Sequence, residues 1–163
     1  MSFTLDAVEI ASLLRGAPLA VSSNQGVSPR RLQSDVVRRG ATERTMAMAD
    51  MSAGARLSLH TSATRLELTL HASRPDAPDR SGPVGAIGVN LGRSQQHLLE
   101  PVTVHAGLST VTLNLPPTAS ARAVTVWLPH TARVTLIRLS SDASVVPLDE
   151  SGVRWSHYGS SIS

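Results

Sequence analysis

Few residues in this chain can do chemistry, and their spacing narrows the field further. There is no cysteine, so neither a disulfide framework nor a thiolate metal site can form. The six histidines are His60, His71, His97, His105, His130 and His157, and metal binding or acid–base work needs at least two convergent groups. His60 and His71 fall on one wet face of what reads as a β-hairpin, where a rise of about 3.3 Å per residue sets them roughly 20 Å apart. His97 and His105 share one strand region with the same difficulty, and His130 follows Pro129 in a loop. No metal and no cofactor is therefore expected. The C-terminal "HYGSSIS" is different in kind. A strand opening into a tight Gly-Ser turn is the arrangement that presents a nucleophilic serine at the carboxyl end of an α/β sheet, although a structureless Ser-rich end would spell the same few letters.

The elements that would position such groups must be built without aromatics. Phe3, Trp127, Trp155 and Tyr158 are the only ones in 163 residues, so a core has to come from Leu, Val, Ile and Ala. That length suits one ordinary domain able to bury about two-thirds of its unfolded surface. All the basic residues are arginine, and the net charge is +3. They are scattered from Arg15 to Arg154, adjacent only at Arg30-Arg31 and Arg38-Arg39. Phosphate neutralisation would call for a stripe or a run, so neither nucleic acid nor a membrane surface is expected as a partner. The N-terminus lacks a basic n-region and an apolar h-region, and no apolar run reaches spanning length. A soluble cytoplasmic protein is the expectation.

Along the chain, one short helical pattern precedes many strand patterns. In "TLDAVEIASLLRG", Asp6 is placed to cap a helix with Glu9 three residues on, Leu5 and Ile10 sit where a hydrophobic staple would, and Gly16 can end it. Residues 16–34 read as an extended connector, because Pro29 biases Ser28 away from helix. From Arg56 the period becomes two. Leu57 and Leu59, then Leu66, Leu68 and Leu70, alternate with polar residues, which predicts a hairpin turning at 61–64 with Leu59 facing Leu66 and Leu57 facing Leu68. A second hairpin is expected to turn near Gly92 and Arg93, its glycines marking bulges or turns rather than a phosphate cradle. "TVTLNL", "RAVTVWL" and "ARVTLIRL" supply three more strands. Together these predict an all-β fold, an antiparallel two-sheet sandwich of jelly-roll-like kind with a short N-terminal helix. Within it, Trp127 lies opposite Val124, Val126 and Leu128 and so faces solvent. It could stack on a sugar ring, or pack against another domain.

At its end the chain resembles the SGNH or GDSL hydrolases, whose first sequence block is a strand followed by Gly-Asp-Ser-hydrophobic. Here that block is Gly159-Ser160-Ser161-Ile162, with Ser160 where the family usually has Asp. The segments "SPRRL", "GARLSLHTSATRLELTL" and "VWLPHTARVTLIRLSSDASVVPL" before "RWSHYGSSIS" resemble the N-terminal β-sandwich of two-domain esterases such as the acetylxylan esterases of carbohydrate esterase family two. The resemblance implies a sandwich domain over 1–148. It makes 149–163 a linker with the first strand and nucleophile turn of a truncated α/β, flavodoxin-like catalytic domain. It implies a serine esterase acting on carboxylic esters, with acetylated carbohydrate among the candidate substrates. Ser161 would be both the nucleophile and a backbone oxyanion donor. The family's Gly and Asn oxyanion donors and its Asp-x-x-His base belong to later blocks. His157, about 13 Å from Ser161 along an extended strand, is no substitute. The fragment alone is thus expected to be inactive, with a non-catalytic carbohydrate-binding or accessory module as the alternative. A strand over 153–158 without its sheet would also expose an edge for self-association.

Overall fold

In a computed structural model of the chain, which describes residues 2–32, 39–40, 42–92 and 97–149, the period-two segments become strands of two antiparallel sheets. In chain order the elements are β1 (Phe3–Leu5), α1 (Ala7–Leu13), β2 (Leu14–Arg15), β3 (Leu19–Ser23), β4 (Gly26–Arg30), α2 (Glu43–Ala49), β5 (Arg56–Thr61), β6 (Arg65–Ser73) and β7 (Pro83–Leu91). There follow β8 (His97–Leu98), β9 (Val102–His105), β10 (Gly107–Asn114), β11 (Arg122–Trp127), β12 (Arg133–Ser141) and β13 (Val145–Pro147). The first sheet runs β10-β6-β12-β4-β3 with β1 also on β12; the second runs β13-β5-β11-β7-β8 with β2 on β5 and β9 on β7. The two sheets form an open sandwich with two short helices.

Each strand sends alternate residues inward. Leu66, Leu68 and Leu70 of β6, with Val134, Leu136 and Leu139 of β12, meet Leu57 and Leu59 of β5 and Val124 and Val126 of β11, all fully or almost fully buried. The register of β12 against β6 shifts between Leu136 and Arg138. That bulge resets the alternation, so Leu136 and Leu139 both point inward. Helix α1 closes one margin of the sandwich by touching β4, β5 and β12, and its Ile10 and Leu13 are wholly buried.

The N-terminal cap is as the sequence specifies. Asp6 Oδ1 accepts from the Val8 and Glu9 amides at 2.8 and 3.0 Å, and Glu9 Oε2 accepts from the Asp6 amide at 2.9 Å. The helix does not stop at Gly16, however. It ends at Leu13, and Leu14 is already extended because it enters the sheet opposite Leu57. Gly16 instead lies where a Cβ would fall 2.0 Å from the Gly54 carbonyl oxygen.

Two larger expectations are corrected. β5 and β6 are not a hairpin, since β5 pairs with β11, β13 and β2 while β6 pairs with β10 and β12. Residues 62–64 cross from one sheet to the other, so Leu57 and Leu59 face the β6 leucines across the core rather than along a ladder. Of the connector expected over 16–34, the described part, to Leu32, does more than connect: β3 and β4 pair from Leu19↔Arg30 to Ser23↔Gly26, while 33–34 lie outside the described residues. The second hairpin holds, with β7 paired to β8 and β9 and a register shift between Pro83 and Gly85. Helix α2 is unanticipated by the hydrophobic pattern. Its one buried residue is Ala49, so it carries no apolar stripe, and its sequence signal is the cap, Thr42 Oγ1 accepting from the Thr45 amide at 3.2 Å.

Candidate functional site

Trp127 occupies the outer face of the second sheet, as its alternation with Val124, Val126 and Leu128 requires. Arg56 is opposite it on β5 and Gly88 opposite it on β7. The Arg56 guanidinium carbon lies 5.2 Å from the centroid of the indole, within range of a cation–π contact. The next row of the same face is Ser58, Thr125 and Asn90, all buried. This polar band is one the sequence did not mark. Asn90 Oδ1 is a buried acceptor without a hydrogen-bond partner among the described residues, and unmet acceptors of this kind are uncommon in folded proteins. The one signal that could have found the band is the run of polar residues at alternate positions, Ser58 on β5 and Thr125 on β11.

The histidines do not converge. His60 is on the outer face of the second sheet, paired with Ala123 and Val146. His71 is on the outer face of the first, paired with Leu108 and Thr135. They are separated by the whole sandwich rather than by the length of a hairpin, so the expectation that they share no metal stands for a different reason. His105 and His130 are exposed. Among the described residues no group of three or more His, Cys, Asp or Glu side chains could hold a metal ion, and no helix is long and apolar enough to cross a membrane.

A cleft of about 730 Å³ lies between α2 and the end of β6, lined by Arg44, Met48, Met51, Arg74, Asp76 and Val84 among others. Its helical wall is tied down. Asp50, the residue ending α2, accepts from Arg133 at 2.7 Å and faces Arg30 at 3.5 Å. The buried Ser52 hydroxyl lies 2.6 Å from the Pro129 carbonyl oxygen, and the Ser52 amide donates to Ala132 at 2.8 Å. Across the cleft an Arg74 terminal nitrogen donates to the Pro83 carbonyl at 2.6 Å. The arrangement is a groove of mixed polarity, with Glu43 and Asp76 beside Arg44 and Arg74 in its lining.

The nucleophile candidate Ser161, with Ser160, His157 and the strand expected over 153–158, lies outside the described residues. Described residues reach Asp149, just past the expected boundary at 148. β13 runs antiparallel to β5, and the Leu148 amide donates to Ser58 at 3.1 Å.

No family model matches the chain, and no curated protein does. Solved structures do. The salicylyl-acyltransferase SsfX3 from a tetracycline biosynthetic pathway aligns at a TM-score of 0.76 and 18% identity, over 93% of this chain and 42% of that one. A protein from Bacteroides ovatus described as a GDSL-like lipase gives 0.68 and 12%, over 91% of this chain and 44% of the other. A family two carbohydrate esterase from Cellvibrio japonicus gives 0.50 and 13%, over 91% and 36%. At these identities the likeness is one of fold. The chain spans less than half the length of each of these proteins.

Proposed function

We propose that the chain is the N-terminal portion of an SGNH/GDSL-type carboxylic ester hydrolase, a β-sandwich followed by the nucleophile turn of the catalytic domain. The observation that carries the reading is a double one. The sandwich accounts for nearly all of this chain but for under half of an acyltransferase and of a GDSL-like lipase, and Gly159-Ser160-Ser161-Ile162 follows it in the sequence. In this reading Ser161 Oγ attacks the ester carbonyl and its proton passes to a histidine of the downstream domain. The Ser161 amide donates to the oxyanion, the alcohol leaves with the proton, and water then releases the acyl group. The expected substrate is a carboxylic ester. Acetylated carbohydrate is one candidate, supported by the likeness to a carbohydrate esterase.

The reading frame beyond Ser163 is expected to encode about 200 further residues, the size of one more domain, carrying the Gly, Asn and Asp-x-x-His groups. That longer protein should hydrolyse an aryl acetate and, if its carrier is a sugar, an acetylated xylo-oligosaccharide. Ser161→Ala should lower turnover by roughly a thousandfold or more, whereas the 163-residue chain should show none. Undiminished hydrolysis by the Ser161→Ala protein would sink the assignment. A carbohydrate-binding module using Trp127 is the weaker reading, because the Arg56 guanidinium is stacked on the ring a sugar would need.

A further inference from the structure

The outer faces of the two sheets differ in kind. On the first, His71 and Leu108 stand side by side and exposed. On the second, Ser58, Thr125 and Asn90 make a row across β5, β11 and β7 that is polar and yet only 0%, 8% and 7% exposed. Asn90 Oδ1 in that row has no hydrogen-bond partner among the described residues, and a buried acceptor left unmet costs stability until a donor reaches it. Trp127 and Arg56, both partly buried, form the next row, and aromatic and arginine side chains of this kind are enriched where interfaces form.

The point at which the described chain ends selects what comes to this face. β13 stops at Pro147 opposite Leu59, and the Leu148 amide donates to the Ser58 carbonyl at 3.1 Å. β11 spans one side of β5 from Arg56 to Thr61. On the other side β2 takes up the margin past Ser58, with Leu14 opposite Leu57 and Arg15 opposite Arg56, and the inner face is filled by the core. In the esterase reading, on which this inference rests, the catalytic domain begins with the strand over 153–158 and is tied to the sandwich by residues 149–152. Four residues span at most about 14 Å, and Asn90 is two strand spacings, about 10 Å, from Ser58. So short a tether holds the domain at a high effective concentration beside the start of the row.

We propose that the outer face of the second sheet, around Trp127, Arg56 and the row of Ser58, Thr125 and Asn90, is the docking surface for the downstream catalytic domain, which brings a hydrogen-bond donor to Asn90 Oδ1. The chemistry suits that occupant. Interfaces between domains of one chain are more polar than a core, and this face offers one large aromatic, one guanidinium and neutral hydroxyl and amide groups. Any separate partner would have to displace a domain already tethered there.

Because the chain has no cysteine, single thiols report the two outer faces separately. His60→Cys places one next to the Ser58 row, and His71→Cys places one on the first sheet. In the 163-residue chain both should react with a maleimide, and melting temperatures equal to the parent's would show that both fold. In the longer protein, with labelling read site by site from peptide masses, His60→Cys should react about tenfold or more slowly than in the 163-residue chain, while His71→Cys keeps its rate. Adding Trp127→Ala should restore most of the lost reactivity. A His60→Cys thiol that labels equally fast in both proteins, or one slowed no more than His71→Cys, would overturn the inference and leave the esterase reading, which Ser161→Ala tests, untouched. A reading frame that closes at Ser163 would overturn both.

Discussion

Asp142 shows how much one exposed carboxylate can organise. The crossing from β5 to β6 has to turn the chain between sheets without a ladder to hold it, and its amides need acceptors. Asp142, just after β12, supplies them. Its Oδ1 accepts from the Thr64 amide at 3.0 Å and the Arg65 amide at 3.2 Å, and its Oδ2 accepts from the Thr64 hydroxyl. The Thr64 hydroxyl above all, with the two amides, favours the charged carboxylate and holds its pKa below the ordinary 3.8. A depressed carboxyl stabilises the fold fully above its unfolded value and loses that contribution as pH falls through the lower folded one. Asp142→Ala should therefore lower the melting temperature at pH 7 by about 2–4 °C, the equivalent of about 1 kcal/mol for a cap-like acceptor in a chain of this size. In thermal melts from pH 7 to pH 2 the gap between variant and parent should hold down to about pH 4 and close below it. A gap that is constant with pH would mean that shape, not charge, matters at this position.

Among the elements, the passage from α1 into β2 makes a sharper test, because two glycines there separate two kinds of constraint. Gly16 and Gly54 have nearly the same left-handed backbone, with φ of +78° and +77°, but a Cβ on Gly16 would collide with the Gly54 carbonyl while one on Gly54 would meet nothing within 4 Å. Gly54→Ala should cost about 1–2 kcal/mol for the backbone conformation alone. Gly16→Ala should cost more, about 2–3 kcal/mol, with faster hydrogen exchange in α1 as its docking loosens. Equal destabilisation in urea titrations would show that the close approach is relieved by a small shift. The same elements show what a sequence can and cannot specify. Asp6 and Glu9 mark the start of α1 because a cap is a local bargain between neighbours. The leucines of β5 and β6 mark their inward faces but leave open whether the strands share a sheet, since a hairpin and a crossing bury the same alternate residues. Trp127 could be placed on the outer face by parity, yet Arg56 over its ring could not, because cross-strand neighbours follow from register between segments about 70 residues apart in sequence. Helix α2 escapes a reading based on hydrophobic period because it is held at its end by Asp50 and Ser52 rather than by a buried stripe.

Across the whole molecule the chain passes repeatedly from one sheet to the other, so most neighbours in sequence are partners across the core and not along a ladder. One continuous cluster of Leu, Val, Ile and Ala joins both sheets and α1. With so few aromatics, no single large side chain dominates it, and its stability is spread over many aliphatic contacts of similar size. Neither sheet can then lose its packing without exposing the inner face of the other. Leu57→Ala in β5 and Leu68→Ala in β6 remove fully buried side chains from opposite sheets, and each should cost about 2–5 kcal/mol. If the core is a single cooperative unit, each variant should unfold in one transition. Hydrogen exchange through global opening should then accelerate to the same degree in β6 and β12 as in β5 and β11, whichever leucine is removed. Acceleration confined to the sheet carrying the substitution would instead divide the sandwich into two independently opening layers.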